Sequence, residues 1–550
     1  MFKKLSARNS DLFIFAALIL CGLKFTFGMN RMMDLGMCDE AGYLVNGLAM
    51  LKTGAAGPQA GPLYSAWYCV LSLFIKNRMA LYYFNQQILT ILLPLAVYGI
   101  SRIYKIALLP AALMAFFILI AQVNLDVYTK IYHFGTIIVL LSLGLAVIPK
   151  KFTSSLAIAV TGALLGAYIR PELFLSFLIL LTFYITIFAV QIKTHQLKDY
   201  LILFAVIIFS LVMIKLCRGV PFHFSSEDRS FCAFGQHFSL NWVHWTHSNL
   251  NPWTNWYEII QKNFGTAHNI KEAFLYNPGL FIKHVLANIP HTFKQIFKSF
   301  MVHANIILPP TVNTNAEAYI LITTLFGYLI FLFNKKLIPL KNNFHQNTRP
   351  LLFIAAYLFT SFISILIIYP RTHYLLFTGI MLLIALGILL KPSHISDALP
   401  SKKTALIISA ALFCVTPSSF FFYNKTKTLE KPTESTIHFI DALKINKPVN
   451  LLEAEGGLNF YLSDNYVDYP EYAKENNEEF FPFMKRLSIN MVVVSEPLTL
   501  DSRFKNDKQF FDFISNPEKF GYTAYTLEKT SSLSKNTKQV LVKKDLLTPP

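Results

Sequence analysis

Apolar residues along this chain gather in long unbroken runs separated by short polar or basic connections, a pattern that a soluble fold does not use. A helix needs about 20 apolar residues to cross a bilayer, and about 17 can suffice. Runs of that order lie at 11–29, 81–101, 106–123, 131–149, 153–169, 173–192, 200–216, 318–334, 351–369, 374–390 and 404–423. These eleven segments predict an α-helical polytopic membrane protein. The stretch 62–75, "PLYSAWYCVLSLFI", opens on Pro62 and is shorter, so it suits an interfacial or re-entrant helix.

The pattern changes at the C-terminal end. Residues 424–550 are polar enough for a water-soluble domain, and "PVNLLEA", "NMVVVSE", "GYTAYTLE" and "KQVLVKK" read as strands, with a helix at about 506–515. The chain is therefore expected to divide into a transmembrane domain, 1–423, and a small C-terminal α/β extramembrane domain, 424–550. Gly456 and Gly457 in "EAEGGLNF" follow a strand, but without a GxxxxGK pattern they signal only a turn.

Composition agrees with a membrane protein: 54% of the 550 residues are hydrophobic and 15% are charged. A net charge of +18 would suggest a nucleic-acid partner in a soluble chain. Here the Lys and Arg residues cluster between apolar runs, which is the positive-inside pattern, and no nucleic acid is expected. The first run follows Lys3, Lys4 and Arg8 without a small-residue cleavage site, so it reads as an uncleaved span with a cytoplasmic N-terminus. With 62–75 off the membrane, sixteen basic residues of the short connections fall inside, and seven fall outside: Arg31, Lys52, Lys76, Arg78, Lys130, Arg170 and Arg371. The outer face then carries the loops 30–80 and 217–317 and the C-terminal tail. Six cysteines without a CxxC pair or His–Cys ligand spacing imply neither a zinc site nor a disulfide framework. Cys217 and Cys232 stand outside the membrane, either paired or as separate thiols.

Candidate chemistry shares that outer address. In "MCDEAGYLVNGLAML", Asp39 and Glu40 open a segment whose Tyr43, Leu44, Gly47, Leu48 and Leu51 make one apolar face. Two roles stand open: a helix cap with an acid complementing the dipole, or a general base acting on a lipid-borne substrate. Asp126, in "QVNLDVYTK", belongs to a short outer connection, as a turn residue or a second site acid. Arg170 in "YIRPELF", and Arg371 and His373 in "YPRTHYLLF", sit at outer helix ends, where they anchor to headgroups or bind a substrate phosphate.

The order of a first span, an outer "DE" opening an amphipathic helix, "GPLYSAWY", an outer Asp, "RPE" and a late "PRTHY" resembles the GT-C membrane glycosyltransferases. Within them it is most similar to the bacterial branch related to protein O-mannosyltransferases and aminoarabinose transferases, over roughly residues 11–390. The resemblance implies Asp39 as catalytic base, Glu40 as its companion and Asp126 as the acid of the second outer loop. It implies Arg371, with His373 and Arg170, at the donor phosphate, and His237 in "FGQHFSL" and His284 in "GLFIKHVLANI" at donor or acceptor. "GPLY" departs from the family pattern, because Ala60 stands where a Lys is usual.

The implied donor is a polyprenyl-phosphate sugar, the acceptor a glycan, lipid or protein, the surroundings membrane lipid, and no metal is essential. A bacterial inner membrane is the expected location, with the tail on the periplasmic or extracytoplasmic side. Other classes remain in view: a lipid or glycan transporter or flippase, for which Lys215 and Arg218 are the hints, a glycan polymerase or ligase using a diphosphate carrier, and a non-catalytic envelope assembly protein.

Overall fold

The computed structural model describes residues 2–31, 33–37, 39–54, 61–125, 129–194, 196–221, 227–300, 339–391, 402–417, 431–475, 478–527 and 538–547. Asp126 and the run 318–334 lie outside the described residues. The chain divides into two compact units, one of Met1–Phe27, Met50–Trp67 and Gln86–Phe422, the other of Gly28–Ala49, Tyr68–Asn85 and Tyr423–Pro550.

The first unit is helical, and the protein is a polytopic membrane protein. Among the described residues six helices are long and apolar enough to cross a bilayer: Ser10–Arg31, Arg78–Ile103, Pro171–Val190, Leu197–Leu216, Thr348–Ile367 and Thr372–Leu389. Leu108–Ile120, Ile131–Leu145 and Phe152–Ala167 are shorter apolar helices, and the last run carries the 14-residue helix Lys402–Val415. Pro62–Ser72 has 11 residues, about 16 Å of helix, against about 30 Å of hydrocarbon. The long helices turn apolar side chains outward: Leu201, Phe204 and Leu211 are 58%, 60% and 61% exposed. In water such a surface would aggregate; in lipid it is solvated.

Small residues set the packing. Phe152–Ala167 packs against Ile131–Leu145, Phe174–Val190 and Leu197–Leu216, and a Cβ at Gly162 would overlap the Ser142 side chain. Glycine there lets two backbones approach closely, which is how helices associate when no water drives them together. Residues read as cytoplasmic make ion pairs: Arg102 with Asp11 at 2.7 Å and Lys151 with Asp199 at 2.8 Å.

The outer loop read at 217–317 folds, where described, into the helices Glu227–Thr246, Trp256–Phe264, Ile270–Tyr276 and Pro278–Phe300. Many of its aromatics build a core of Phe231, Phe234, Phe238, Phe264 and Phe281. An apolar stripe still faces outward through Leu275, Tyr276 and Leu286. Cys217 and Cys232 are not joined to each other by a disulfide.

The second unit holds a five-stranded sheet of β1 (Val449–Glu453), β2 (Tyr466–Pro470), β3 (Met491–Val494), β4 (Tyr522–Thr526) and β5 (Gln539–Lys543), in the order β2-β1-β3-β5-β4. β1 runs parallel to β2 and β3, and β5 pairs antiparallel with β3 and β4. Leu452, Val492 and Leu541 meet Phe480, Phe483, Phe510 and Phe513 in its core. This unit takes in stretches far earlier in the chain: Asp34 accepts from the backbone N–H of Thr433 and Glu434, both at 2.9 Å, and so caps the helix Pro432–Ala442. The Tyr83 hydroxyl donates to Glu434 at 2.7 Å, and Arg78 bonds Asp464.

The turn after β1 folds around its own strand's acid. The Glu453 carboxylate accepts from the N–H groups of Glu455, Gly456, Gly457 and Leu458, with Gly456 and Gly457 at φ 82° and 118°. These amides, a ready anion site in other α/β sheets, are occupied by a side chain.

Burial, and then the neighbouring Glu453, push Asp468 on β2 up to about 9. The folded state thus holds a proton that the unfolded chain releases above its ordinary carboxylate pKa, so stability falls as pH rises from about 4 to about 9. Asp468→Asn should remove that slope and raise the melting temperature at pH 8 by on the order of 5 °C. A pH titration of thermal unfolding checks it, and an unchanged slope would refute it.

Candidate active site

Asp39 opens the helix Asp39–Thr53 and is exposed, whereas Glu40 beside it is 1% exposed. The helical turn of about 100° per residue puts one acid outward and the next inward. Glu40 Oε1 accepts from the Tyr68 hydroxyl and from Asn85 Nδ2, the latter at 3.0 Å, and Asn85 also donates to the Tyr68 oxygen at 2.8 Å. Tyr68 and Asn85 are fully buried. The phenol of Tyr461 is raised well above its usual pKa, first by burial and then by Tyr82 and the Glu40 charge. Glu40 is a locked carboxylate, and its exposed neighbour rides on the turn it fixes.

The other candidates gather in the first unit. Arg170 follows the Phe152–Ala167 helix and pairs with Glu172, Nε to Oε1 at 2.7 Å. Its guanidinium lies 3.6 Å from the Tyr132 ring centroid and 5.6 Å from that of Tyr374, a cation–π arrangement. Burial works against its charge, but Glu172, Tyr132 and Tyr374 more than offset this and hold its pKa above the ordinary value. The His373 ring lies 4.4 Å from Tyr374 and 5.0 Å from Tyr132. Arg371 stands just before the helix Thr372–Leu389, exposed, with its guanidinium 5.4 Å from the Trp253 ring. His237 joins the group through Trp253 and Tyr369, each at 5.6 Å. Arg170, His237, Arg371 and His373 thus share one aromatic cluster.

His284 has a different part. Its Nε2 lies 3.0 and 3.1 Å from the carbonyl oxygens of Ile367 and Ile368, and Asn241 donates to its Nδ1 at 3.0 Å. Burial pushes it down to about 4; Nε2 ties the Pro278–Phe300 helix to the end of Thr348–Ile367, and Nδ1 ties it to the helix Glu227–Thr246. This is a structural histidine.

Tyr68, Asn85, Tyr132, Tyr369, Tyr374 and Trp253 were not singled out by sequence. Four of them carry a signal all the same: Tyr68 closes "GPLYSAWY", Tyr369 and Tyr374 flank "PRTH", and Trp253 lies in the Trp-rich stretch of residues 217–317. Lys130 is also fully buried, its Nζ donating to the Asn124 carbonyl oxygen at 2.6 Å. Lys215 and Arg218, the hints for transport, lie in the last turn of Leu197–Leu216 and just beyond it. Among the described residues no three or more His, Cys, Asp or Glu side chains form a group able to hold a metal ion.

No protein-family model and no curated protein matches the chain. Among solved structures it is similar to ArnT from Cupriavidus metallidurans bound to undecaprenyl phosphate, at 10% identity and a TM-score of 0.49, over 98% of this chain and 99% of that one. It is also similar to the archaeal oligosaccharyltransferase AglB from Archaeoglobus fulgidus in complex with an inhibitory peptide and a dolichol-phosphate, at 11% identity and a TM-score of 0.43, over 96% of this chain and 75% of that one.

Proposed function

We propose that this protein is an inverting membrane glycosyltransferase that moves a sugar from a polyprenyl-phosphate donor to a hydroxyl of a glycan, lipid or protein acceptor at the outer face of a bacterial inner membrane. The observation that carries this reading is the pair of arginines, Arg170 and Arg371, beside one aromatic cluster and each just before a candidate span, Pro171–Val190 and Thr372–Leu389. That is the depth at which a lipid carries its phosphate.

In this reading Asp39 takes the proton of the acceptor hydroxyl as that oxygen bonds to the anomeric carbon. The bond from that carbon to the phosphate oxygen breaks, and its electron pair leaves with the lipid phosphate. Arg371, exposed and not paired to a carboxylate among the described ion pairs, meets the departing charge. Arg170, already held by Glu172 and Tyr132, fixes the positive end of the site. Asp126 is proposed as a second acid of the site, and Glu40 as the residue that holds Asp39 in place. With the leaving group a monophosphate and two guanidinium groups available, the step needs no metal. The N-terminus is proposed to be cytoplasmic and the tail extracytoplasmic, as the distribution of basic residues favours.

Binding of undecaprenyl phosphate to the purified chain in lipid nanodiscs tests the reading. Arg371→Ala should weaken it roughly tenfold or more, the usual loss for a charge-assisted hydrogen bond, with the melting temperature unchanged. Equal affinity in wild type and variant would reduce Arg371 to a helix anchor.

A further inference from the structure

His237 differs from the other histidines of its loop. It is 2% exposed, and its Nδ1 lies 2.5 Å from the Ala233 carbonyl oxygen one turn back. A carbonyl oxygen only accepts, so Nδ1 carries the proton and Nε2 is left with its lone pair. Nε2 is buried and has no hydrogen-bond partner among the described residues. His284, by contrast, uses both ring nitrogens. A buried acceptor without a donor is costly to keep, and persists where function asks for it.

The surroundings say what kind of donor would suit it. Tyr369 lies nearly parallel to the His237 ring, at 23°, and Trp253 meets it edge-on, at 82°. Trp253 is 42% exposed and stands on the connection between the helices Glu227–Thr246 and Trp256–Phe264, so it links the buried His237 ring to the surface. Flat aromatic rings beside a single neutral acceptor match a sugar, whose C–H face packs on a ring while one hydroxyl donates.

We propose that Nε2 of His237 accepts a hydrogen bond from a hydroxyl of the sugar being transferred, with Trp253 turning to pack on the sugar ring, and that this subsite takes a neutral sugar in preference to a cationic amino sugar. The proposal rests on the transferase reading. The preference follows from position and charge: the Arg371 guanidinium lies 5.4 Å from the ring of Trp253, which itself meets His237, and burial, with that guanidinium, holds His237 down to about 4 against the opposing Ala233 bond. An ammonium group on the ligand would meet the same burial and the same guanidinium.

Titration of the full chain in nanodiscs by saturation-transfer NMR tests this, with methyl glycosides of glucose, mannose and galactose and their 4-amino-4-deoxy counterparts as probes. At least one neutral glycoside should bind roughly tenfold tighter than its amino counterpart. His237→Phe, which keeps the ring but not the acceptor, should lose on the order of tenfold in affinity together with that selectivity. His237→Gln, whose amide oxygen can accept, should retain most of both. Undecaprenyl phosphate should bind both variants like wild type. Absence of binding by every neutral glycoside, equal or tighter binding of the amino sugars, or wild-type behaviour in His237→Phe would each overturn the proposal. Failure of the transferase reading looks different: the glycosides would bind with this selectivity while wild type failed to bind undecaprenyl phosphate.

Discussion

Asp39→Asn should lower the rate of sugar transfer by roughly 10²–10⁴, the range that a positioned general base supplies. Stability should change by less than about 0.5 kcal/mol, because Asp39 is exposed and asparagine keeps its size and polarity at the start of the helix. Undecaprenyl phosphate affinity should stay as in wild type, since the amide removes only the ability to take a proton. Single-turnover transfer, thermal unfolding and donor binding on the same preparation separate these effects. A variant that folds, binds donor and transfers sugar at the wild-type rate would remove Asp39 from the chemistry.

The adjacent acid should behave in the opposite way. Glu40→Ala leaves the Tyr68 hydroxyl and the Asn85 amide without the carboxylate that they share, in a place closed to water. Loss of that buried acceptor should cost about 3 kcal/mol of stability. Glu40→Gln retains an oxygen for one donor but turns an N–H₂ toward the other, so an intermediate loss is expected. Denaturant unfolding monitored by tryptophan fluorescence gives the comparison. If Glu40→Ala unfolds with the wild-type midpoint and slope, the network does not hold the helix start, and Glu40 loses its positioning role.

That contrast also marks where sequence stops being informative. Asp39 and Glu40 are adjacent acids, and nothing in "CDEAG" says which one turns inward. The choice is made by helix phase and by Tyr68 and Asn85, 28 and 45 residues away from Glu40. The apolar runs were readable because lipid demands continuous hydrophobicity: apart from 318–334, outside the described residues, each carries a helix. Four strands of the sheet were readable from their β-branched and aromatic runs. β2 was not, because "YVDYP" contains an Asp and ends on Pro470; it lies at an edge, where such residues are tolerated. That residues 28–49 and 68–85 share a unit with the tail was likewise hidden, since Asp34 caps a helix about 400 residues later in the chain. At the site, "RPE" and "PRTHY" pointed to the cationic residues, but not to Tyr132, whose ring lies 3.6 Å from the Arg170 guanidinium. Nor did two similar histidines reveal that His284 is tied at both nitrogens while His237 keeps one free of partners among the described residues.

The most direct test of the central claim is a mass-spectrometric census of lipid-linked sugars and surface glycans in cells with the intact protein, without it, and with Asp39→Asn. A sugar transferase predicts that one sugar disappears from the glycans and that one polyprenyl-phosphate sugar accumulates, in both defective strains alike. Unchanged glycans and carrier lipids in cells holding a correctly inserted Asp39→Asn protein would contradict it.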